Sequence, residues 1–174
     1  MRIFNQAVMA IFLIAGATLW VNATAQSTTS SSAKSESKAQ RNKRIALHCI
    51  KAWNENNMEE ILKHLAVNTV DYGDGSTPPA RGIDSARMFM ELWRSSVNEY
   101  RSDNEIAVAE GDYVFIYADW SGSFKTDFMG MKTAGKSFKF TDVDIMKFDD
   151  QGKITEHRAL VFSRMLRELA GKTD

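Results

Sequence analysis

Residues 122–157 of this 174-residue chain read GSFKTDFMGMKTAGKSFKFTDVDIMKFDDQGKITEH. The stretch predicts two long strands joined by a loop rich in Gly, Met and Thr, then a Gly-containing turn and a third strand. Asp142 and Asp144 fall inside the middle strand, on the face that carries its aromatic residues. A buried carboxylate must be paired, hydrogen-bonded or used in chemistry, so this strand locates a candidate site.

The remaining elements place this stretch at the end of a mixed fold. Apolar spacing predicts helices over residues 42–54, 57–65, 83–99 and 163–169. Strands are predicted over residues 67–72, 104–110, 113–126, 136–148 and 153–163. Helices followed by a run of antiparallel strands indicate the α+β class, here a curved antiparallel sheet forming a half-open cone with helices packed on its concave side.

The N-terminal part of the chain predicts export. Arg2 precedes an apolar run over residues 7–21, and Ala23 and Ala25 supply a small-x-small cleavage site, which together predict a signal peptide over residues 1–25. An uncleaved membrane anchor is the alternative, although the run is shorter than a typical span. We expect a periplasmic or secreted protein that has no membrane association after cleavage.

The mature chain divides into a tether and one domain. Residues 26–40 are nearly all Ser, Thr, Ala, Lys and Glu, so they cannot bury enough apolar surface to order themselves and are predicted to form a disordered tether. Residues 41–174 have the length of one domain with one core.

Charge and cysteine content exclude several function classes. The chain has 22 Lys and Arg against 22 Asp and Glu, which gives no electrostatic basis for binding nucleic acid. Cys49 is the single cysteine, so an intramolecular disulfide or a multi-cysteine metal site is ruled out. His48 and His64 fall in separate predicted helices without an H-E-x-x-H pattern, and we therefore expect no metal site. No cofactor is expected either.

Alternation in the middle strand assigns Asp144 two possible roles. Asp144 shares a face with Phe140, Asp142 and Met146, and apolar neighbours disfavour the charged form of a carboxyl. Such an acid can move a proton on or off a carbon next to a carbonyl. Alternatively, it is a structural residue bound to backbone N–H groups or to Arg158.

Other side chains are candidates for proton transfer or for ligand binding. His157 is a possible proton-relay partner of Asp144 or Asp142, or simply a hydrogen-bonded histidine. Tyr72 is a candidate hydroxyl donor to a ligand. Candidate walls of a ligand pocket, for which plain packing is the alternative, are Trp120, Phe124, Phe140 and Met146. The sequence leaves open which face of residues 113–126 points inward.

The order of local motifs resembles the nuclear-transport-factor-2-like superfamily, and within it the SnoaL-like branch of polyketide cyclases and their relatives. The resemblance rests on Trp53-Asn54, Arg81-Gly82-Ile83, residues 128–136, residues 148–156 and residues 165–171. It covers nearly all of the predicted domain and implies the half-open cone. It also implies a homodimer, because the outer sheet face in this fold often pairs with a second copy.

The resemblance implies a departure at the catalytic positions. Cyclases of this branch use a His on the next-to-last strand and an Asp on the last strand, and these positions fall on Asp144 and Ala159. Since neither residue type is kept, two functions stay open. One is a domain that binds a small apolar molecule in the cone. The other is a cofactor-free acid–base enzyme of the isomerase, cyclase or dehydratase type that uses Asp144 with His157 and Asp142.

Overall fold

A computed structural model describes residues 35–171 of the chain. The helices are α1 (Lys38–Asn54), α2 (Met58–Leu62), α3 (Ile83–Ser96) and α4 (Phe162–Leu169). The strands are β1 (Leu65–Asp71), β2 (Ala80–Arg81), β3 (Val97–Glu110), β4 (Tyr113–Phe124), β5 (Ser137–Phe148) and β6 (Ile154–Ala159). The predicted signal peptide and residues 26–34 of the predicted tether lie outside the described residues.

The described strands form one curved, unclosed sheet. Its order is β2-β1-β6-β5-β4-β3, and every neighbouring pair is antiparallel except β1 and β6, which are parallel. The predicted α+β class and half-open cone are therefore confirmed. The sequence analysis missed the two-residue strand β2 and placed the start of β3 seven residues too late, because helical spacing was followed beyond Ser96.

The predicted tether ends earlier than residue 40. Ser37 caps α1 in a capping box, since its hydroxyl accepts from the backbone N–H of Gln40 at 3.2 Å while the Gln40 side chain accepts from the Ser37 N–H at 3.1 Å. The ammonium of Lys38 then reaches the carboxylates of Asp112 at 2.6 Å and Asp150 at 2.5 Å, in two hairpin turns. These contacts order residues that their polar composition predicted to be disordered.

The inner face of the sheet carries the core. On β4 the inward residues are Val114, Ile116, Ala118, Trp120 and Phe124, which settles the orientation that the sequence left open. Trp93 of α3 packs at the centre of an aromatic cluster whose other members include Phe124, Phe128, Phe138 and Phe162. A Cβ at Gly122 would lie 2.6 Å from the Phe138 ring, so this strand position requires glycine.

The helices of the described part are short or amphipathic. None of them is long and apolar enough to cross a lipid bilayer.

Candidate functional site

Three neighbouring strands bring Asp71, Asp144 and His157 together. His157 of β6 stands opposite Met146 of β5, two residues from Asp144 on the same face, and residues in this diagonal relation can touch. Asp71, the last residue of β1, stands opposite His157 in the parallel pair. Side chains from the ends of β1 and β6 and the middle of β5 therefore meet on the inner face.

The His157 ring bridges two carboxylates. Its Nε2 lies 3.1 Å from Oδ1 of Asp144, and its Nδ1 lies 3.2 Å from Oδ2 of Asp71. The other oxygen of Asp71 accepts from the Gly73 N–H at 2.8 Å, a turn that fixes the direction of the carboxylate. We call Asp71, His157 and Asp144 the inner triad.

The inner triad holds its histidine as a cation. Burial alone would lower the pKa of His157, but the charges of Asp71 and Asp144 and their hydrogen bonds to the ring outweigh it, and the pKa lies well above its usual value. Burial likewise works against ionisation of Asp71, yet the adjacent His157 lowers the pKa of that carboxyl. With both ring nitrogens donating, the imidazolium sits between two carboxylates.

One oxygen of Asp144 has no partner. Its side chain is 10% exposed, Oδ1 accepts from His157, and Oδ2 is a buried atom without a hydrogen bond. In the sheet, Asp144 lies between Ile116 and Ala159, neither of which can donate from its side chain. Since leaving a buried acceptor unsatisfied is costly, this oxygen is the acceptor of the inner triad that a further hydrogen bond would stabilise.

Asp142 has a different role from the one the sequence suggested. Its carboxylate accepts from the backbone N–H groups of Val143, Val161 and Phe162 at 2.7, 2.9 and 3.0 Å. Burial and the nearby charge of Asp144 raise the pKa of Asp142, although these three donors oppose the rise. Asp142 therefore stabilises the connection between β6 and α4. This geometry does not support its predicted part in catalysis.

Tyr72 lies away from the inner triad. Its ring packs under the guanidinium of Arg158, whose Cζ is 4.3 Å from the ring centroid. Alternation along β6 places Arg158 on the face opposite His157, so Tyr72 packs on the other side of the sheet from the inner triad. That its hydroxyl donates to a ligand stays a prediction. Asp71, one position earlier in the chain, is the residue that contacts His157.

The four predicted wall residues all point inward. Phe124 and Met146 are buried, whereas Trp120 and Phe140 are half-buried. Whether they contact a ligand stays a prediction.

The surface of the described residues carries a pocket of about 550 Å³, lined by residues including Tyr100, Ser121 and Ser137, and another of about 180 Å³ between α2 and α3. Asp144 lines neither pocket.

Replacing the histidine should give a pH-dependent loss of stability. The pKa of His157 is higher in the folded chain than its unfolded value of about 6.5, so the charged ring stabilises the fold. This stabilisation is complete below that pH and is lost as the pH rises through the folded pKa. His157→Gln should therefore cost most free energy of unfolding at about pH 6 and less at alkaline pH. Denaturant titrations of both chains across this range measure it, and a cost that grew with pH would contradict the charge assigned to the ring.

Solved structures with the same fold support the architecture. A provisionally named polyketide cyclase from Xanthomonas campestris pv. campestris is 18% identical, with a TM-score of 0.67, and the match covers 76% of this chain and 99% of that one. AclR from Streptomyces galilaeus, provisionally named a hydroxylase, is 24% identical, with a TM-score of 0.64 and coverage of 78% and 99%. At these identities the likeness shows the fold alone.

The sequence itself matches a family description. No curated protein matches the chain. A sequence model described as SnoaL-like polyketide cyclase matches residues 43–162, which is more than half of the chain and includes all three residues of the inner triad. The chain therefore belongs to the SnoaL-like polyketide cyclase family.

Proposed function

We propose that this protein binds a small, largely apolar carbonyl compound in its cone and moves a proton on or off the carbon next to the carbonyl. The observation that carries the proposal is the unpartnered Oδ2 of Asp144 beside the cationic ring of His157. General acid–base chemistry of this kind draws only on groups of the chain.

The proton transfer is assigned to Asp144. Its Oδ2 accepts the proton from the C–H bond, whose electron pair forms an enolate with the carbonyl, and the same carboxyl returns the proton to another carbon or to the same one. His157 and Asp71 are positioning residues, because both ring nitrogens already face carboxylates. Such second partners fix the orientation of a catalytic group and its charge.

Trp93 offers a donor for the carbonyl oxygen. Trp93 is only 3% exposed, and its buried indole N–H has no hydrogen-bond partner. Phe162 contacts Trp93 and Asp142, since its ring centroid is 5.3 Å from that of Trp93 and its backbone N–H donates to Asp142. In the proposal a ligand displaces the half-buried Phe162 side chain and satisfies both orphan atoms.

A substitution that keeps the ring tests this donor. Trp93→Phe removes the N–H, so the rate of proton transfer should fall roughly 100-fold, as expected for loss of one donor to a developing oxyanion. Removing the unsatisfied donor offsets part of the packing that the smaller ring loses, so the variant should stay folded in a thermal melt. An unchanged rate in a folded variant would remove Trp93 from the proposal.

A domain that binds the same ligand without turning it over is the second candidate. Two observations favour it: Asp144 and Ala159 stand where cyclases of this family are expected to keep His and Asp, and aromatic rings fill much of the inner face. Under this alternative the orphan oxygen of Asp144 would bind a ligand hydroxyl or N–H and no bond would change.

Exchange of carbon-bound hydrogen separates the two candidates. The full chain is incubated in D₂O with a panel of cyclic and aryl ketones, and loss of the α-proton signals is followed by NMR. The proposal predicts exchange well above the buffer rate with at least one ketone. Saturable binding of a panel member without exchange would favour the non-catalytic domain, and neither binding nor exchange across the panel would contradict both.

We also propose export and a homodimer. The outer sheet face supports the dimer, because it exposes five large apolar side chains: Ile106, Val108, Tyr113, Phe115 and Tyr117. A patch of this kind is typical of protein contact surfaces. Sedimentation of the chain and of a Phe115→Glu variant tests the dimer, and fractionation of expressing cells tests export.

A further inference from the structure

Folding brings together two histidines and a glutamate that the sequence analysis kept apart. His48 lies in α1, Glu60 in α2, and His64 in the turn before β1. The Nε2 atom of His48 is 3.2 Å and that of His64 is 3.9 Å from Oε1 of Glu60, and all three donor atoms lie within 4.8 Å of one another. The argument against a metal site rested on a separation that the folded chain does not have.

Backbone hydrogen bonds hold the turn that carries His64. Glu60 and His64 are four residues apart, and the turn between them is held by a hydrogen bond from the His64 N–H to Ile61 O at 2.9 Å. The carbonyl of His64 accepts from the Ile154 N–H of β6 at 2.8 Å. The two rings meet edge to face, with centroids 5.4 Å apart, so neither stacks over the other.

We propose that His48, Glu60 and His64 bind one Zn²⁺ ion. Two imidazole nitrogens and one carboxylate oxygen are a donor set that suits zinc, and three protein ligands leave a fourth position for water. Ligand atoms around a tetrahedral zinc lie about 3.4 Å apart, given zinc–ligand distances near 2.0–2.1 Å. The observed separations need a contraction of the order of 1 Å, which side-chain rotation of partly exposed residues can supply.

The local charges are compatible with this ion. Lys63 binds Oε2 of Glu60 and leaves Oε1 facing the two rings. The Lys63 side chain is 67% exposed and can move into solvent when a cation arrives. Cys49 is no ligand, because burial raises its pKa to about 12 and its side chain faces the core.

The bound ion would join α1 to the α2–β1 corner. Anything that binds only the folded chain stabilises it, so zinc should raise the melting temperature. The site shares no residue with the inner triad, so its presence or absence leaves the proposed proton transfer untouched.

Zinc binding to the full chain, prepared without a polyhistidine tag, tests the proposal. Calorimetry should show one Zn²⁺ per chain, and the melting temperature should rise with added zinc. His48→Gln and Glu60→Gln should each weaken binding roughly tenfold or more, since even loss of an outer-shell partner costs about 10- to 100-fold. The matched control is Glu59→Gln, which removes the same charge one residue away, from a side chain that pairs with Arg87.

Cobalt gives a second readout that does not depend on stability. Co²⁺ in the same site should produce the visible absorption of a four-coordinate ion with nitrogen and oxygen ligands, and His64→Gln should abolish it. Lack of zinc binding by the unaltered chain would overturn the proposal. Equal binding by Glu60→Gln and Glu59→Gln would overturn it as well, because the ion would then lie elsewhere.

Discussion

Asp144→Asn should abolish proton transfer while leaving the chain folded. The amide has nearly the shape of the carboxyl and still offers its oxygen to the His157 ring, but it cannot accept a proton from carbon. General acid–base groups typically contribute about 10²- to 10⁴-fold, so the exchange rate of a ketone substrate should fall by that factor. NMR exchange rates and a thermal melt of the same sample measure both parts of the prediction.

Asp103→Asn is the matched control for this variant. Asp103 is half-exposed, pairs with Arg101 and lies on β3, the strand farthest from β1 in the sheet, so its substitution should change neither rate nor fold. Full exchange activity in a folded Asp144→Asn chain would exclude Asp144 as the proton acceptor. If the unaltered chain and the Asp144→Asn variant bound the ligand equally and neither catalysed exchange, the non-catalytic domain would be favoured.

Asp142→Ala should cause the largest loss of stability of any substitution considered. It strips the acceptor from three backbone N–H groups, those of Val143, Val161 and Phe162, at a corner where Asp142 is only 2% exposed. Each bond to a carboxylate contributes about 1.5–3 kcal/mol, and losing a buried network of this kind costs about 3–5 kcal/mol. Denaturant unfolding monitored by tryptophan fluorescence gives the free-energy difference directly.

Asp142→Asn distinguishes the acceptor role from the charge. The amide keeps one acceptor oxygen and removes a charge that Asp144 repels, so this variant should lose clearly less stability than Asp142→Ala. Equal losses in the two variants would mean that the carboxylate charge, and not the hydrogen-bonded corner, stabilises the fold.

The sheet could be predicted because its side chains alternate strictly. Residues Phe138 to Phe148 place every second side chain inward, and the structure buries all of that set except the half-buried Phe140, including Asp142 and Asp144. The start of α1 could not be predicted from composition, because the polar residues around Lys38 bury little surface. They are ordered instead by a local capping box and by ion pairs to turns that are distant in sequence.

Sequence reasoning identified two of the three residues of the inner triad. Asp144 and His157 were identified because the β5–β6 hairpin fixes their register from local turns. Asp71 was missed because the parallel pairing of β1 with β6 joins strands about 85 residues apart, and no local pattern encodes it. The candidate chosen at the end of β1 was Tyr72, which is one residue further along the chain and therefore lies on the other side of the sheet.

Separation along the chain also hid the cluster of His48, Glu60 and His64. A helix-period pattern would have revealed two ligands on one helix, but these three come from two helices and a turn. Only the packing of α1 against α2 brings the first histidine to the other two residues.

The central claim is that His157 is held as a cation between two carboxylates, which leaves one oxygen of Asp144 for proton transfer. Nitrogen NMR of the ring-labelled histidines tests it most directly, since the chain has three histidines and His157→Gln identifies the signals of interest. The account predicts that both ring nitrogens of His157 carry protons at neutral pH and that Asp71→Asn lowers the pKa of the ring. A neutral His157 ring at neutral pH would contradict it.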